Sequence, residues 1–312
     1  MTISVRWKVA ITALALALAG NGLAASGAGA DDSWKTSELA WRADYEKDLR
    51  APNGWLTLVG LEWLKPGENA FGSAADNQIV MKAPAAPHIG TVRLAGQTLD
   101  LLPPSGGFPK GLLVDGQTPS NPQRLQSDDS GHASKLTLGT LTMTVIHRGD
   151  RYALRIKDSQ APVRTNFHGL KWYAPNPAYR VQAKWIPYNP PKKEKVPTVL
   201  GTEVESTVPG AAEFTLDGQT LRLEPTVDSM SDTDLFFVLS DTTSKTETYG
   251  AGRFLDAELP SHGLSQPGDL WLDFNRAHNP PCAYTPYATC PLPLPQNRLK
   301  VAIPAGEQRF HD

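Results

Sequence analysis

The chain has 312 residues, of which 30 are Lys or Arg and 32 are Asp or Glu, so its formal net charge is −2. This length allows one large domain or two modest ones. The near balance of charges argues against a nucleic-acid-binding protein, which needs a clustered basic surface.

The first thirty residues have the order of a secretory signal peptide. Arg6 and Lys8 precede an apolar run over residues 9–19, and small residues follow as far as Ala30. The run is too short to span a bilayer comfortably, and no later segment is long enough. We therefore predict a signal peptide over residues 1–30 and a soluble mature chain, periplasmic or secreted, with no transmembrane segment.

A single clear helix is predicted next, over residues 36–50. Leu39, Tyr45 and Leu49 fall near one face of it, which indicates a helix that packs on a sheet. The helix should end at residues 52–54, where Pro, Asn and Gly follow one another.

The rest of the chain has the pattern of a β protein, with many short strands between turn residues. Arg148-Gly149-Asp150 and Asp217-Gly218 read as hairpin turns. Such spacing is typical of sandwiches and barrels. We predict a mostly β fold, in which residues 31–160 form the helix and a β-sandwich and residues 161–312 form a β-barrel-like half. The predicted strands cover residues 55–64, 78–81, 91–94, 98–102, 135–147, 152–156, 180–186, 198–208, 213–216, 220–223, 235–239 and 270–274.

Several motifs are spread along the chain. They are Trp41-Arg42, GWLTLVGLEWLKPGEN at 54–69, YGAGRF at 249–254, DFNRAHNPPCAYTPYATCPLP at 273–293, Gln296-Asn297 and Ala305-Gly-Glu307. Together they resemble a bacterial family that is catalogued as a domain of unknown function, DUF1684. This resemblance covers nearly the whole mature chain and implies no particular activity.

The first half also resembles forkhead-associated β-sandwiches, through PGENAFGSAADNQIV at 66–80. Those domains bind phosphothreonine with an Arg where this chain has Ser73. The resemblance therefore implies the sandwich fold rather than phosphopeptide binding.

Both cysteines of the chain, Cys282 and Cys290, lie in the proline-rich segment 273–297. In an exported protein a lone pair at this spacing predicts a disulfide, which would hold Tyr284 and Tyr287 in place. Their spacing does not suit a zinc site. A catalytic thiol remains an alternative, although no basic cluster is evident to activate it.

The polar residues around this segment are the candidate site. Arginine can bind an anion with two parallel bonds, and tyrosines offer flat stacking surfaces. The leading prediction is a pocket for a polar small molecule under the cysteine loop. Its ligand-binding candidates are Arg253, Asp273, Asn275, Arg276, Asn279, Tyr284, Tyr287 and Asn297, with Asp256 beside them.

Three alternatives stay open. A hydrolase-like enzyme would use Asp273 with Arg253, with Asp273 as general base or His278 as an acid or base near neutral pH. An envelope interaction module would use the first sandwich. The same polar groups could instead hold the loop, with Arg253 and Asp273 as a buried pair. We predict no metal site, since Asp273, Asn275 and His278 are a weak ligand set, and the sequence indicates no cofactor.

Overall fold

The computed structural model describes residues 28–311 of the chain. Residues 1–27, which carry almost all of the predicted signal peptide, lie outside the described residues. Among the helices that are described, none combines the length and the apolar character needed to cross a membrane. The described chain is mostly β, as the sequence predicts.

The N-terminal helix α1 spans Ala28–Leu49, so it begins before the predicted residue 36 and ends where predicted. Its buried stripe is Glu38, Arg42, Tyr45 and Leu49. Leu39, which was expected on that face, is 49% exposed. Tyr45 and Leu49 are buried as predicted, whereas the first half of the stripe is formed by Glu38 and Arg42, which form a buried ion pair at 3.0 Å.

The first half is a sandwich of two five-stranded sheets, with strand orders β1-β10-β9-β8-β6 and β3-β2-β4-β5-β7. Residues 55–57, predicted as strand, form a short 3-10 turn before β1. The strands are β1 (Leu58–Trp63), β2 (Gly67–Gly72), β3 (Ile79–Val80), β4 (Gly90–Ala95), β5 (Thr98–Leu102), β6 (Leu113–Val114), β7 (Gln123–Leu125), β8 (Leu136–Leu138), β9 (Leu141–Arg148) and β10 (Arg151–Asp158). The forkhead-associated likeness of this half stays a prediction.

Alternation along the strands builds the core of the sandwich. Val92 and Leu94 of one sheet and Leu154 and Ile156 of the other belong to the same buried cluster. Successive side chains of a strand point to opposite faces, so the residue that follows Leu154 and the residue that follows Ile156 both face outward. The outer face of β10 therefore presents Arg155 and Lys157.

The two predicted turn motifs are hairpin turns in the structure. Residues 149–150 connect β9 to β10, with Gly149 at φ 64°. Asp217 and Gly218 have φ of 50° and 72°. Positive φ at both central residues is the mark of a type I′ turn, whose twist matches that of the flanking strands.

The second half does not form the predicted barrel. Its strands are β11 (Arg180–Pro197), β12 (Glu203–Leu216), β13 (Gln219–Leu223), β14 (Asp234–Leu239), β15 (Arg253–Glu258) and β16 (Gly268–Asp273), after a short helix α2 (Pro162–Thr165). They form an open sheet of order β13-β12-β11-β16 and a separate β14-β15 ladder, with no closed barrel among the described strands. The edge strands β13 and β16 do not pair with each other, so the sheet stays open. Both sheets bury their inner faces in one core.

Residues 274–311 cross the molecule without forming a strand of either sheet. Short 3-10 turns at Phe274–Arg276, Pro281–Ala283 and Pro295–Asn297 are the regular elements described there. Much of the segment is nevertheless buried. Its shape is held by side-chain hydrogen bonds to distant parts of the chain, as its composition predicts.

Candidate binding pocket

Asp273 and Asn275 anchor the start of the C-terminal segment. Asp273 Oδ1 accepts hydrogen bonds from Asn275 N at 3.1 Å and Nδ2 at 2.9 Å, and its Oδ2 accepts from Trp34 Nε1 at 3.0 Å. The Asn275 amide also binds the backbone N and O of Asn176, each at 2.9 Å. These bonds tie β16 to α1 and to the loop before β11.

Arg253 lies in a buried ion pair whose partner is Asp241 rather than Asp273. Its Nη2 is 2.6 Å from Asp241 Oδ2, and the two side chains are 1% and 0% exposed. Its guanidinium also donates to the carbonyls of Ile303, at 3.0 Å, and Ala305. The predicted Arg253–Asp273 pair is therefore absent. The Asp241–Ser244 capping box is the local pattern that could have drawn attention to Asp241.

Arg276 and Asn297 also contact protein groups. Arg276 Nε donates to Glu38 Oε2 at 2.9 Å, which fastens the segment to α1. Asn297 accepts from Glu224 N and donates to Glu224 O, both at 2.8 Å, and it donates to Val238 O at 3.0 Å. These two side chains hold the loop where it passes α1 and β14.

Glu307, which sequence reasoning did not single out as a site residue, is the acceptor at the centre of a buried polar cluster. It is 0% exposed and accepts from Asn279 N at 2.8 Å and Nδ2 at 2.6 Å. The Tyr284 hydroxyl donates to both its oxygens, at 2.7 and 2.9 Å, and lies 3.3 Å from the Tyr45 hydroxyl. Burial raises the pKa of Glu307 to about 8. The signal for it was the Ala305-Gly306-Glu307 motif.

Close packing explains why the middle residue of that motif is a glycine. Gly306 has φ of 81°, and a Cβ placed on it would lie 2.3 Å from the carbonyl oxygen of Ala277. A larger residue would therefore push Glu307 away from the turn that contains Asn279.

His278 is buried and neutral at ordinary pH. Its Nδ1 lies 3.1 Å from the carbonyl oxygen of Arg276, which can only accept, so Nδ1 carries the proton and Nε2 is an acceptor. Its ring centroid is 4.9 Å from that of Tyr45 and 6.1 Å from that of Phe254. Burial lowers the pKa of His278 to about 4.

A small pocket opens between α1, the outer face of β14-β15 and the C-terminal segment. The centre of a water molecule can occupy about 20 Å³ of it, which is room for roughly one ordered water. Of the predicted site residues, the structure brings Asp256, His278, Asn279 and Tyr284 together here. The lining residues are Tyr45, Trp55, Phe236, Phe254, Asp256, His278, Asn279, Pro281 and Tyr284. The other predicted residues are not among them.

One acceptor in this lining has no partner. Asn279 Oδ1 is buried and makes no hydrogen bond within the described part of the chain. Its orientation is set by the other end of the amide, because Nδ2 donates to Glu307 Oε1 and, at 2.8 Å, to the carbonyl oxygen of Gln308. A flipped amide would place its oxygen against the carbonyl oxygen of Gln308, which can only accept.

Cys282 and Cys290 are both thiols in the structure, which does not show the predicted disulfide. The backbone N of Cys282 donates to Cys290 Sγ at 3.3 Å. A side-chain hydrogen bond with Cys290 lowers the pKa of Cys282, and burial raises that of Cys290. Tyr287 is half-buried in the apolar cluster that contains both cysteines.

No group of three or more His, Cys, Asp or Glu side chains in the described chain is placed to hold a metal ion. Asp273 is instead bonded to Trp34 and Asn275, as above. His278 lies within an aromatic environment.

Comparison with known proteins finds a family match for the second half of the chain. Residues 165–308 match the model of a family described as protein of unknown function, DUF1684. No curated protein matches the chain. A solution NMR structure of an uncharacterized protein from Haloarcula marismortui is 31% identical over 48% of this chain and 80% of its own, with a TM-score of 0.40.

The family match begins at residue 165, so it is shorter than the resemblance that the sequence motifs suggest. Trp41-Arg42 and residues 54–69 lie before it, whereas the 249–254 and 273–293 motifs lie inside it. The C-terminal wall of the pocket is within the match, and so are Asn279, Tyr284 and Glu307 of the polar cluster, whereas Tyr45 lies before it. Residues 165–308 of this chain are thus similar to the DUF1684 family of proteins of unknown function.

Proposed function

We propose that the protein binds a small polar molecule in the pocket beside the C-terminal segment. The observation that carries the proposal is the unpartnered Asn279 Oδ1, which is buried among the residues that line the pocket. A buried acceptor without a partner loses its hydration without compensation. A ligand that donates an N–H or O–H group to this oxygen would restore the bond.

The walls of the pocket suit a ligand that also has an apolar or cationic part. Phe236 and Asp256 are cross-strand neighbours on β14 and β15, and Phe254 precedes Asp256 by two residues on the same face. The rings of Phe236 and Phe254 line the pocket together with those of Tyr45, Tyr284 and Trp55. Aromatic walls with few directed polar groups are typical of small-molecule sites, and ring faces attract ammonium groups.

The pocket is nearly closed as it stands, so a ligand larger than water requires a side chain to move. Trp55 and Phe236 are the half-buried aromatic residues of the lining, whereas Tyr45, Phe254 and Tyr284 are buried. Rotation of one of the half-buried rings would enlarge the opening without disturbing the Glu307 cluster.

This proposal keeps the predicted ligand class and moves it to different residues. The contacts of Arg253, Asp273 and Asn275 are made with protein groups, and Asn279, His278 and Tyr284 take their place at the pocket. The hydrolase-like alternative has less support, because Arg253 and Asp273 bind different partners. No observation favours the interaction module over the pocket.

Ligand-observed NMR with a fragment set of amines, amides and sugars tests the proposal. A fragment that binds the wild type should bind Phe236→Leu roughly tenfold more weakly. Phe108→Leu is the matched control, since Phe108 is also half-buried but packs in the first-half core. Absence of binding by the whole set, or equal binding to both variants, would refute the pocket.

Export and the cysteine disulfide form the second part of the proposal. In an oxidising compartment the thiols of Cys282 and Cys290 would join, releasing two protons and passing two electrons to a disulfide-bearing oxidant. Peptide mapping without reductant should find the two cysteines linked in protein recovered after export. The same chain expressed in a reducing cytosol without residues 1–30 should contain two thiols. Free thiols in the exported protein would contradict this part.

A further inference from the structure

The outer face of the first sheet carries a group of basic side chains. Arg155 and Lys157 are alternate residues of β10, so they face the same side, away from the core that holds Leu154 and Ile156. Arg148 acts electrostatically on Arg155, and Lys135 acts on Lys157. Arg155 also acts on Lys157, so each of these two residues lies close to groups of like charge.

Arg155 has two unused donors on the same edge of its guanidinium. Both Nε and Nη2 are buried and make no hydrogen bond within the described residues. The Nε–Nη2 edge is the one that binds a carboxylate or a phosphate through two parallel N–H···O bonds. Arg253 differs, because its Nη2 is bonded to Asp241 and Nε alone is without a partner.

The position of this edge is supported by an aromatic ring. Arg155 Cζ lies 5.6 Å from the centroid of the Trp55 ring, and Lys157 Nζ lies 5.4 Å from it. Lys157 Nζ also donates to the carbonyl oxygen of Asn53 at 2.5 Å. Both cations are therefore held near the same ring before any ligand arrives.

Asp128 is the carboxylate that acts electrostatically on Arg155, but it does not neutralise the Arg155 charge. Asp128 attracts it, but the Asp128 carboxylate is already bound by Arg148, at 3.0 and 2.8 Å, and by the backbone N of His147 at 2.9 Å. Cys290 is also near, and burial raises the pKa of its thiol, which keeps it uncharged. Burial lowers the pKa of Arg155 to about 10 and that of Lys157 to about 8, as expected for desolvated cations that lack a counter-ion.

We propose that Arg155 and Lys157 form an oxyanion-binding site, in which a carboxylate or phosphate group of a small molecule binds the Nε–Nη2 edge of Arg155 and the Lys157 ammonium. The site is separate from the pocket proposed above and does not depend on it, although Trp55 borders both. A carboxylate and a phosphate both offer two oxygen atoms that share negative charge, and these two oxygens would accept the two N–H bonds of Arg155.

NMR of the arginine Nε–H groups in the full chain tests the site directly. At about pH 6.5 Lys157 is charged, and the wild type is titrated with sodium phosphate or sodium acetate against sodium chloride at equal ionic strength. The Arg155 Nε–H signal, identified by its loss in Arg155→Lys, should shift and saturate below about 100 mM of the oxyanion. Saturation by phosphate alone or by acetate alone assigns the ligand source.

Two variants separate a built site from general charge. Arg155→Lys keeps the charge but removes the two-donor edge, and should weaken binding roughly tenfold, read from backbone amide shifts. Arg151→Lys is the matched control, because Arg151 is on the same strand with its Cζ 4.0 Å from the Trp63 ring centroid, and its affinity should equal the wild type. No saturable wild-type shift, equal binding by Arg155→Lys, or equal weakening by both variants overturns the proposal. The wild-type titration decides the matter even if Arg155→Lys does not fold.

Discussion

Two arginines of this protein, both with buried guanidinium nitrogens, have opposite environments. Arg253 lies in the second half, where Asp241 and two carbonyl groups bind its Nη atoms. Arg155 lies on the outer face of the first-half sandwich, where a whole edge of its guanidinium has no acceptor among the described residues. The sequence drew attention to Arg253, yet its bonds hold the fold. A buried charge indicates a ligand site when its hydrogen-bonding groups are unmatched, not when it is merely buried.

The largest expected effect comes from breaking the matched pair. Asp241→Asn leaves the Arg253 charge buried without its counter-charge, and should cost about 3–5 kcal/mol of unfolding free energy. Urea unfolding measures it. Asp269→Asn is the control, since its ion pair with Lys184 at 2.6 Å is largely exposed, and its loss should stay below about 1 kcal/mol. Equal losses in the two variants would show that the Arg253 pair is not a structural centre.

A smaller effect should appear in the pH dependence of the pocket wall. The pKa of His278 is about 4 in the folded chain against 6.5 unfolded, so the unfolded chain binds more protons between these values and stability falls as pH falls through them. His278→Phe removes this loss, which reaches about 2–3 kcal/mol near pH 4. The unfolding free energies of the wild type and of His278→Phe, measured at several pH values, should therefore converge or cross as the pH falls toward 4.

The carboxyl of Glu307 acts in the other direction and provides an internal check. Its pKa is raised from 4.5 to about 8, so stability from this group falls as pH rises through that interval. The wild type and His278→Phe should share this basic-side loss. A His278→Phe curve that parallels the wild type at acid pH would mean that the imidazole is charged in the fold.

The smallest expected effect is at Arg155, and it has the opposite sign to a broken pair. Arg155→Met removes donors that are already unpaired, so it should be neutral or stabilising by up to about 2 kcal/mol without added oxyanion. Arg253→Met, measured by the same urea unfolding, should instead be destabilising. A large loss in Arg155→Met would mean that Arg155 has a partner within the protein, and the contrast between the two arginines would disappear.

Local features of the fold were predictable because neighbouring residues determine them. The turn at Asp217-Gly218 follows from two residues that tolerate positive φ, and the end of α1 follows from Pro52, Asn53 and Gly54. Tyr45 and Leu49 of α1 are buried as predicted, but the first part of the face that α1 buries was not predictable in this way. Leu39 is exposed and Glu38 is buried because Glu38 binds Arg276, which is 238 residues away.

The arrangement of strands in the second half shows the same limit. The pattern indicates where strands occur, but strand order depends on which edges meet, and here β13 and β16 remain unpaired with each other. The residues of the buried polar cluster fall into two groups, those that are neighbours in the sequence and those that only packing brings together. His278, Asn279 and Tyr284 are close in sequence, whereas Tyr45 and Glu307 join them only when α1 and the chain end pack on the segment.

The sequence by itself determined a mostly β chain with an N-terminal helix and a polar, proline-rich segment that must be held by side-chain bonds. Only the tertiary structure decided which polar groups have partners. Arg253, Asp273 and Asn275 bind protein groups, whereas Asn279 Oδ1 and one edge of Arg155 have no partner in residues 28–311. The physical reason is that hydrogen-bond matching depends on distances between residues far apart in the chain, and these distances exist only after the core has packed.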